Sequence, residues 1–481
     1  MDSKGYRPRK AFLVQHVALS LTTNMDRKLA IVICNWNKKD HVLKCVESVF
    51  ASDFHDYDLM VVDNASTDGS AEAISARFGD GIRLIVNSEN RGGSGGFNAG
   101  IREALKKDYS YIYLLDNDVV IDAAALRKLV LYLDSHPRAA IAGSAIYSMD
   151  RPDELQESGA SIDWHEYSIK PHGKGRISTG TASDEAVICD YVPACSMLVR
   201  TDAIRKVGLM DESNFIYWDD IEWAHRMSRA GYEVAVLPSS KAWHKMGASG
   251  SGDTFSTYYF WRNRLNFFLC NISDDELPRF ARKIFSELFQ AVYTCNLNQK
   301  YQSARTILFA ARDALSGVRG KAPDGRIVAV DPASRKLENL LKDQKEVIVT
   351  DFEDIKTLRY VFNRVQKTQP SANVAITANC HDRSFLSEQF PGTEIITDAL
   401  EARASRPKIP ENPLTLRVCR HVMESGDQAE PGIYIDQYFN LVASSSDLNY
   451  VRNFPNALKA AELVLYPVFL NNVSAQRGVT L

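Results

Sequence analysis

The sequence predicts an α/β protein built around a mainly parallel, Rossmann-like sheet. From Leu29 onwards, short apolar runs rich in β-branched residues alternate with stretches of helical periodicity. Asp68 and Asp122 precede two of these helical stretches, and aspartate is favoured at helix N-caps. Alternation of strands and helices is typical of a parallel sheet that helices cover on both faces.

The elements of this sheet follow one another in a regular order. The predicted strands are Leu29–Cys34, Leu59–Asp63, Ile82–Asn87 and Tyr111–Leu115. The predicted helices are Lys39–Phe50, Ser70–Phe78, Gly96–Lys107 and Ala123–Ser135. Ligands bind beyond the carboxyl ends of the strands in such sheets, so the polar residues after each strand form the candidate site. They fall at residues 35–37, 63–68, 90–100 and 116–118.

Three regions follow a short N-terminal extension. We expect a large α/β domain over residues 25–270, a helical segment over 271–320 and a smaller α/β C-terminal domain over 321–481. Residues 1–24 lack a convincing signal-peptide core, and Met25 is the expected translation start. No catalytic motif stands out in the C-terminal domain. Its expected strands are Ile327–Val330, Val347–Val349, Val374–Ile376 and Glu394–Ile396.

Composition limits the kinds of partner. The 481 residues have a formal net charge of -3, so no overall basic character points to a nucleic-acid partner. The eight cysteines form no CxxC pair, which favours buried thiols in a reducing compartment. No apolar run approaches the roughly 18 residues that a membrane span needs, so we expect a cytoplasmic protein.

The helical segment leaves one membrane role open. Between Pro278 and Arg319, apolar residues recur on one stripe and basic residues lie elsewhere. The stripe consists of Phe280, Ile284, Leu288 and Val292. This pattern suits a helix lying on the inner face of the cell membrane, where the protein would be peripheral. A bundle helix packed on the large domain explains the same pattern and is the favoured interpretation.

The strongest chemical signal is the triplet Asp116-Asn117-Asp118, which ends an apolar strand. The side chains of Asp116 and Asp118 point to the same side of an extended backbone. Two close carboxylates repel each other unless a cation lies between them, and a hard divalent ion that bridges diphosphate oxygens fits that position. Acidic pairs also occur in ordinary turns, but the preceding buried strand favours a metal site.

Two further features point to a nucleotide. Asp63 ends the second strand, where its carboxylate can accept a hydrogen bond from the imide N–H of uracil or thymine. The run from Asn90 to Gly100 includes Gly92 and Gly93 and opens a helix, so its backbone can approach a ligand closely. The run matches neither a Walker loop nor GxGxxG, and a simple flexible turn is the alternative.

A second pair of carboxylates follows among aromatic residues, in Trp218-Asp219-Asp220 at a predicted helix start. A carboxylate in this position can act as a base towards a hydroxyl group, and aromatic faces bind the apolar faces of sugars. The alternative is that helix-start acids are favoured by the helix dipole. That alternative explains Glu222, which has Arg226 four residues later, but not Asp220.

The pair Trp243-His244 follows another strand. A lone histidine is more often structural, but a neutral imidazole at a strand end can complete the shell of a metal ion.

In this order, the motifs resemble those of the family 2 glycosyltransferases, which have the GT-A fold and invert the anomeric centre. The resemblance covers about Leu29 to Cys270, over half of the chain. It implies that Asp63 contacts the nucleobase and that Asp220 is the catalytic base, with Asp219 standing where glutamate is commoner. It implies Mn²⁺ or Mg²⁺ as the cofactor. The implied metal ligands are Asp116, Asp118 and His244.

The resemblance also implies two sets of substrate-binding residues. Those expected to bind the nucleotide donor are Asn35, Asp63, Asn90, Gly92, Gly93, Asp116 and Asn117. Those expected to bind the acceptor are Trp218, Asp219 and Trp243.

The glycine run, Trp-Asp-Asp and Trp-His resemble most closely the galactofuranosyltransferase branch, which implies UDP-galactofuranose as the donor. Rhamnosyltransferases that use dTDP-rhamnose share much of the pattern and are the alternative. The expected acceptor is a glycan or a lipid-linked glycan of a bacterial cell-surface polysaccharide. A noncatalytic nucleotide-sugar binding protein would be expected to lack the base or a metal ligand, and a nucleotidyltransferase would not need the Trp-Asp-Asp segment.

Overall fold

The computed structural model describes residues 28–178, 183–245, 252–332, 335–397, 413–424 and 432–478. The expected extension over residues 1–24 and the expected start at Met25 lie outside these ranges. Within them the chain forms two open sheets, one from each half of the sequence, and a separate two-stranded sheet.

Among the described residues, the N-terminal part of the chain supplies twelve strands and nine α-helices. The strands are β1 (Leu29–Asn35), β2 (Tyr57–Asp63), β3 (Arg83–Val86), β4 (Tyr111–Asp116), β5 (Val119–Ile121), β6 (Ala139–Ser148), β7 (Leu155–Glu157), β8 (Ala160–Asp163), β9 (Ser168–Pro171), β10 (Val187–Ile188), β11 (Ser196–Arg200) and β12 (Glu233–His244). The helices are α1 (Lys39–Phe50), α2 (Ser70–Phe78), α3 (Gly92–Ala104), α4 (Ala125–Ser135), α5 (Thr201–Val207), α6 (Asp219–Arg229), α7 (Phe255–Asn271), α8 (Leu277–Leu297) and α9 (Tyr301–Leu315).

The larger sheet has the strand order β10-β12-β6-β11-β4-β1-β2-β3, with β5 paired to β12 and β7 paired to β6. Strands β1 to β4 run parallel to one another, whereas β11 is antiparallel to both β4 and β6. In this register Asn35 is the partner of Asp63, and Cys34 is the partner of Asp116. The polar residues that end β1, β2 and β4 therefore meet at one edge of the sheet.

Apolar layers cover both faces of the larger sheet. On one face, α1 and α4 pack Val42, Val46, Leu126 and Leu129 against the strands. On the other face, α3, α6, α7 and α8 contribute Phe97, Ile101, Trp223, Phe268 and Phe280 to a second core. The central parallel strands β1 and β4 are buried on both faces, as their continuous apolar sequences predict, whereas the edge strand β3 is partly exposed.

Helices α1 and α2 begin and end where the sequence predicts, but α3 begins at Gly92 rather than Gly96. The alternative of a flexible glycine turn is therefore wrong. Packing against the sheet outweighs the poor helix propensity of glycine. A Cβ atom on Gly96 would lie 2.2 Å from Cys34 Sγ, and one on Gly100 would lie 2.2 Å from Val32 Cγ1. Glycine is needed here because the helix lies directly on β1.

Helices α7 to α9 pack against one another and contribute to the core on one face of the larger sheet. Phe280, Ile284 and Leu288 of the predicted stripe are buried in the same core as α3 and α6. The interpretation of this segment as a packed bundle helix is confirmed, because its apolar stripe is already covered by protein. Among the described residues, no helix is both long enough and apolar enough to cross a membrane.

The second sheet comes from the C-terminal half. Its strands are β13 (Glu346–Thr350), β14 (Asn373–Thr377), β15 (Glu394–Ile396), β16 (Leu414–Val418), β17 (Ile433–Ile435) and β18 (Leu441–Val442). Their order is β15-β14-β13-β16-β17-β18, and all pairs are parallel except β17 with β18. The helices are α10 (Lys336–Leu341), α11 (Ile355–Thr368), α12 (Arg383–Gln389), α13 (Ser445–Arg452), α14 (Phe454–Val464) and α15 (Tyr466–Arg477).

Three of the four strands predicted in this half are confirmed, and the one over Ile327–Val330 is wrong. Its backbone pairs with the start of α7 instead of joining a sheet: Thr254 N donates to Val328 O at 2.9 Å, and Val328 N donates to Thr254 Oγ1 at 3.1 Å. Ile327 packs beside the aromatic residues of α7. The apolar run thus covers a helix rather than forming a strand.

All eight cysteines are free thiols. Cys45, Cys189 and Cys195 are buried, but Cys270 and Cys380 are exposed. The expectation of buried thiols therefore holds for only part of the set.

Candidate active site

Two carboxylates and an imidazole meet beyond the end of β4. Asp116 ends β4, Asp118 follows two residues later, and their oxygens lie within 4.8 Å of one another and of a ring nitrogen of His244. His244 Nε2 is 3.3 Å from Asp118 Oδ1. The pairing of β5 with β12 brings the histidine here, because it sets His244 opposite Val119 and lets Lys245 N donate to Asp118 O at 3.1 Å.

The charges in this cluster shift one another's pKa values. Burial, and then the charge of Asp118, raise the pKa of Asp116 to about 6. Burial alone would raise the pKa of Asp118 too, but hydrogen bonds from His244 and Lys38 outweigh it and lower that pKa to about 2. Burial opposes the charged imidazole, yet Asp118 raises the pKa of His244. The three groups act as one site.

Lys38 is a member of this site that the sequence did not single out. Its Nζ lies 2.6 Å from Asp118 Oδ2. It follows β1 directly after residues 35–37, so its place beyond a strand end was the available signal. Two carboxylates that attract both an ammonium group and an imidazole offer a position for a cation, and oxygen ligands with one imidazole nitrogen suit Mn²⁺ or Mg²⁺. The residues present therefore fit a divalent ion.

The predicted nucleotide-binding residues form a hydrogen-bonded chain along the same edge. Asn117 Nδ2 donates to Asn35 Oδ1 at 2.8 Å, and Asn35 Nδ2 donates to Asp63 Oδ1 at 3.1 Å. Asp63 Oδ2 accepts from Ser66 N at 3.0 Å. These contacts fix the carboxylate of Asp63 at the end of β2, where it is 1% exposed. The structure brings Asn35, Asp63 and Asn117 together beside the metal-type cluster, which consists of Asp116, Asp118 and His244.

Asn90 and the two predicted glycines form the start of α3. Asn90 Oδ1 accepts from Gly92 N at 2.8 Å, and Asn64 Nδ2 donates to both Asn90 Oδ1 and Gly92 O. Gly92 has a φ of 74°, and a Cβ atom on it would lie 2.1 Å from Phe215 O. The backbone at Gly92 therefore lies directly against the loop before α6. Asn64, which is 2% exposed, holds the turn, and its position among residues 63–68 was the only sequence signal for it.

The loop before α6 has an unusual backbone. Phe215, Tyr217 and Trp218 have φ values of 67°, 62° and 67°, a region that costs non-glycine residues about 1–3 kcal/mol each. Asn263 of α7 holds the loop, because its Nδ2 lies 2.8–2.9 Å from three backbone oxygens. The acceptors belong to Asn214, Ile216 and Tyr217. Strain held by neighbouring structure is a feature of functional loops.

Asp219 and Asp220 begin α6. Asp220 Oδ1 accepts from Ile221 N at 2.8 Å, and its Oδ2 accepts from Ala194 N at 3.2 Å. Burial raises the pKa values of both carboxyl groups, and the charge of Asp220 raises the pKa of Asp219 further. The charge of Asp220 also raises the pKa of Asp116, so Asp220 lies near the metal-type cluster.

Neither of the two tryptophans predicted to bind the acceptor has its ring at the carboxylate cluster. Trp218 is 4% exposed and packs against Phe267 and Phe268 in the core. Trp243 Nε1 donates to Pro152 O at 3.1 Å. Trp243 also precedes His244 in β12, and consecutive strand residues point to opposite faces. The structure does not bring the indole of Trp243 to the carboxylate cluster.

The interpretation of Glu222 as a helix-start acid is confirmed. Glu222 Oε1 lies 2.6 Å from Arg226 Nε, in an ion pair between residues four positions apart on α6.

Two neighbouring residues on β7 also belong to the site, and no sequence motif pointed to them. Gln156 contacts His244, and burial together with the charge of Asp220 raises the pKa of Glu157 to about 7. Tyr191 Oη donates to Glu157 Oε2 at 3.2 Å. A polar strand of three residues lacks the apolar alternation by which strands are predicted.

An acidic triplet that ends a central parallel strand, with further carboxylates at a neighbouring helix start, is the arrangement of a glycosyltransferase domain with the GT-A fold. Residues 30–205 match the model of glycosyl transferase family 2, and the chain carries a domain of that family. The match ends before Asp220 and His244. The structure, rather than the family match, therefore places His244 in the cluster with Asp116 and places Asp220 close enough for its charge to raise the pKa of Asp116.

Three curated proteins illustrate what this chain is similar to. The galactofuranosyltransferase GlfT2 of Mycobacterium tuberculosis is 25% identical over 211 residues, which cover 40% of this chain and 32% of the relative. The dTDP-rhamnosyl transferase RfbF of Shigella flexneri is 24% identical, over 50% of this chain and 80% of the relative. The N-acetylglucosaminyl-diphospho-decaprenol L-rhamnosyltransferase of M. tuberculosis is 22% identical, over 50% of this chain and 86% of the relative. The chain thus spans about a third of the length of GlfT2.

Proposed function

We propose that the protein transfers a sugar from a nucleoside diphosphate to a hydroxyl group of a glycan or lipid-linked glycan, with inversion at the anomeric carbon. The observation that carries the proposal is the meeting of Asp116, Asp118 and His244 within 4.8 Å, beside the chain of hydrogen bonds that ends at Asp63. A diphosphate bound at the cluster would place its nucleoside towards Asp63 and its sugar towards Asp220.

Asp220 is the proposed base. A base must be partly shielded from water and close to the acceptor hydroxyl, and burial raises the pKa of Asp220 beside the other carboxylates. Its two hydrogen bonds from backbone N–H groups hold the carboxylate in one orientation and leave lone pairs for a hydroxyl proton. The acceptor oxygen would attack from the face opposite the diphosphate, which inverts the anomeric carbon.

Asp116, Asp118 and His244 would hold Mn²⁺ or Mg²⁺. When bound, such an ion offsets the negative charge that grows on the leaving diphosphate. Lys38, which contacts Asp118, is the nearby side chain with a positive charge suited to the same phosphates.

UDP-galactofuranose is the proposed donor, and dTDP-rhamnose is the alternative. The name of GlfT2 supports a galactofuranose donor, and the name of RfbF supports dTDP-rhamnose. The two relatives are nearly equally identical to this chain, at 25% and 24%. Asp63 suits both, because uracil and thymine carry the same imide N–H. The diphospho-decaprenol in the name of the third relative supports a lipid-linked acceptor. Such an acceptor would place the protein at the inner face of the cell membrane.

The test is release of nucleoside diphosphate by the purified protein, with Mn²⁺ or with EDTA. The donors are UDP-galactofuranose, UDP-galactose, UDP-glucose and dTDP-rhamnose, each with a lipid-linked acceptor extract. Mn²⁺-dependent UDP release from UDP-galactofuranose alone is the expected result, and a preference for dTDP-rhamnose would replace the donor. Pyrophosphate as the product would indicate a nucleotidyltransferase. No release from any donor would contradict the proposal and favour a noncatalytic binding protein.

A further inference from the structure

Gln156 occupies an irregular position in β7. In the antiparallel pairing of β6 with β7, Ile146 is opposite Glu157 and Tyr147 is opposite Leu155. Adjacent residues of β6 therefore face residues of β7 that are two apart, and Gln156 is the extra residue of a β-bulge. Bulges change the direction of a side chain and occur often beside active sites.

The side-chain amide of Gln156 binds His244 at two points. Gln156 Nε2 donates to the backbone oxygen of His244 at 2.9 Å, and Gln156 Oε1 lies 3.2 Å from His244 Nδ1. A carbonyl oxygen can only accept, so the NH₂ group must face the backbone and Oε1 must face the ring. Because Oε1 is an acceptor, Nδ1 must carry the hydrogen of this contact.

This contact determines what the other ring nitrogen can do. In the neutral imidazole only one nitrogen carries hydrogen, so a hydrogen on Nδ1 leaves a lone pair on Nε2. Nε2 lies 3.3 Å from Asp118 Oδ1 and donates to it while the ring is protonated. A cation that binds at the carboxylates displaces this proton to solvent, and the neutral ring then presents its Nε2 lone pair to the cluster. The same amide also holds the backbone of His244 in place, so ring rotation and tautomer are fixed together.

We propose that Gln156 is a positioning residue for a divalent cation: it fixes His244 as the Nδ1–H tautomer, with Nε2 directed at the position between Asp116 and Asp118. The inference rests on the proposed function, in that it takes these three residues as the cation site. Partners that orient a ligating histidine in this way typically affect metal affinity about 10- to 100-fold.

The test compares Gln156→Met with Gln156→Glu and uses Mn²⁺ alone as the probe. Methionine keeps the length and volume of glutamine but has no strong acceptor for Nδ1–H, whereas glutamate keeps an acceptor oxygen. We expect Gln156→Met to bind Mn²⁺ about 10- to 100-fold more weakly, as measured by the electron paramagnetic resonance of free Mn²⁺. We expect Gln156→Glu to bind within about tenfold of the wild type.

A second measurement reads the tautomer directly. In ¹⁵N NMR spectra with Mg²⁺, the ring of His244 should be the Nδ1–H tautomer in the wild type and a mixture in Gln156→Met. Gln156→Asn, whose amide is one methylene too short to reach the ring, should show the same loss and serves if the methionine variant does not fold.

Wild-type Mn²⁺ affinity and an unchanged tautomer in folded Gln156→Met or Gln156→Asn would overturn the role of Gln156 alone. If instead the wild-type protein and His244→Ala bind Mn²⁺ equally, the cation site itself is wrong, and the proposed function loses its main support.

Discussion

Lys38 donates a hydrogen bond to Asp118, with Nζ 2.6 Å from Oδ2, and the two side chains are only 17% and 7% exposed. The positive charge of the Lys38 ammonium group offsets the negative charge of Asp118, one of the two carboxylates of the cluster. A divalent cation bound there would offset the same charge. Removing one partner of such a pair is costly, because it leaves a charge with little access to water.

We therefore expect Lys38→Met to lower the free energy of unfolding by on the order of 2 kcal/mol in EDTA. Mn²⁺ should restore most of the lost stability, because the bound ion offsets the negative charge of Asp118 in place of Lys38. The control is Lys28→Met, which removes a pair with Asp134 whose side chains are 34% and 37% exposed. It should cost less than about 1 kcal/mol with or without Mn²⁺. Thermal and urea unfolding measure both, and an equal loss for Lys38→Met in Mn²⁺ and in EDTA would contradict the shared cation position.

Helix α7 offers a matched test of the strained loop. Asn263 and Asn266 are each 1% exposed, but Asn263 donates to three loop carbonyls, whereas neither side-chain polar atom of Asn266 has a partner among the described residues. We expect Asn263→Ala to destabilise the protein by about 2–4 kcal/mol, since it frees buried carbonyls and removes the hold on the loop. Activity should fall as well, because Asp220 follows this loop.

Asn266→Ala should cost clearly less, because the packing lost is similar and no hydrogen bond is broken. Urea unfolding of the two variants measures the difference. Equal destabilisation would show that Asn263 acts by packing alone and that its hydrogen bonds do not hold the loop.

Glu157 should make stability depend on pH. Its pKa is raised from 4.5 to about 7 in the folded protein, mainly by burial. Between about pH 4.5 and pH 7 the carboxyl group of Glu157 is therefore protonated in the folded state but ionised in the unfolded state. The stability that this proton contributes is lost as the pH rises through that range. Glu157→Gln removes the ionisation. We expect the variant to gain stability relative to the wild type between pH 5 and pH 8, by on the order of 2 kcal/mol.

Urea unfolding of both proteins at pH 5 and at pH 8 measures this change. A stability difference that is the same at the two pH values would mean that the carboxyl group of Glu157 titrates normally.

The features that the sequence predicted well are those with a local cause. The strands ending at Asp63 and Asp116 are continuous apolar runs, and their pairing follows from the parallel order of the sheet. The position of Asp118 two residues after Asp116 then brings both carboxylates to the same edge. Resemblance to a family added His244, which lies 126 residues further on and reaches Asp118 only through the pairing of β5 with β12.

The features that the sequence missed depend on contacts between distant segments. Gln156 lies in a three-residue polar strand whose pairing with β6 no local pattern reveals. The loop from Phe215 to Trp218 has positive φ values that no residue type in it favours, and Asn263 of α7 sets them from outside. The apolar run Ile327–Val330 resembled a strand because burial against α7 selects the same residues as burial in a sheet.

The central claim, that Asp220 is the base of a sugar-transfer site, is tested most directly by Asp220→Asn beside Asp202→Asn. Both aspartates are the second residue of a helix and accept a hydrogen bond from the next backbone N–H, at 2.8 Å for Asp220 and 2.7 Å for Asp202. Asp202 lies on the exposed surface of α5.

The measurement is turnover of the preferred nucleotide sugar together with its binding affinity in Mn²⁺. We expect Asp220→Asn to bind the donor within about threefold of the wild type and to lose about 100- to 10,000-fold in turnover, while Asp202→Asn is unchanged. Turnover close to that of the wild type, or donor binding lost in parallel with turnover, would contradict the assignment of Asp220 as the base.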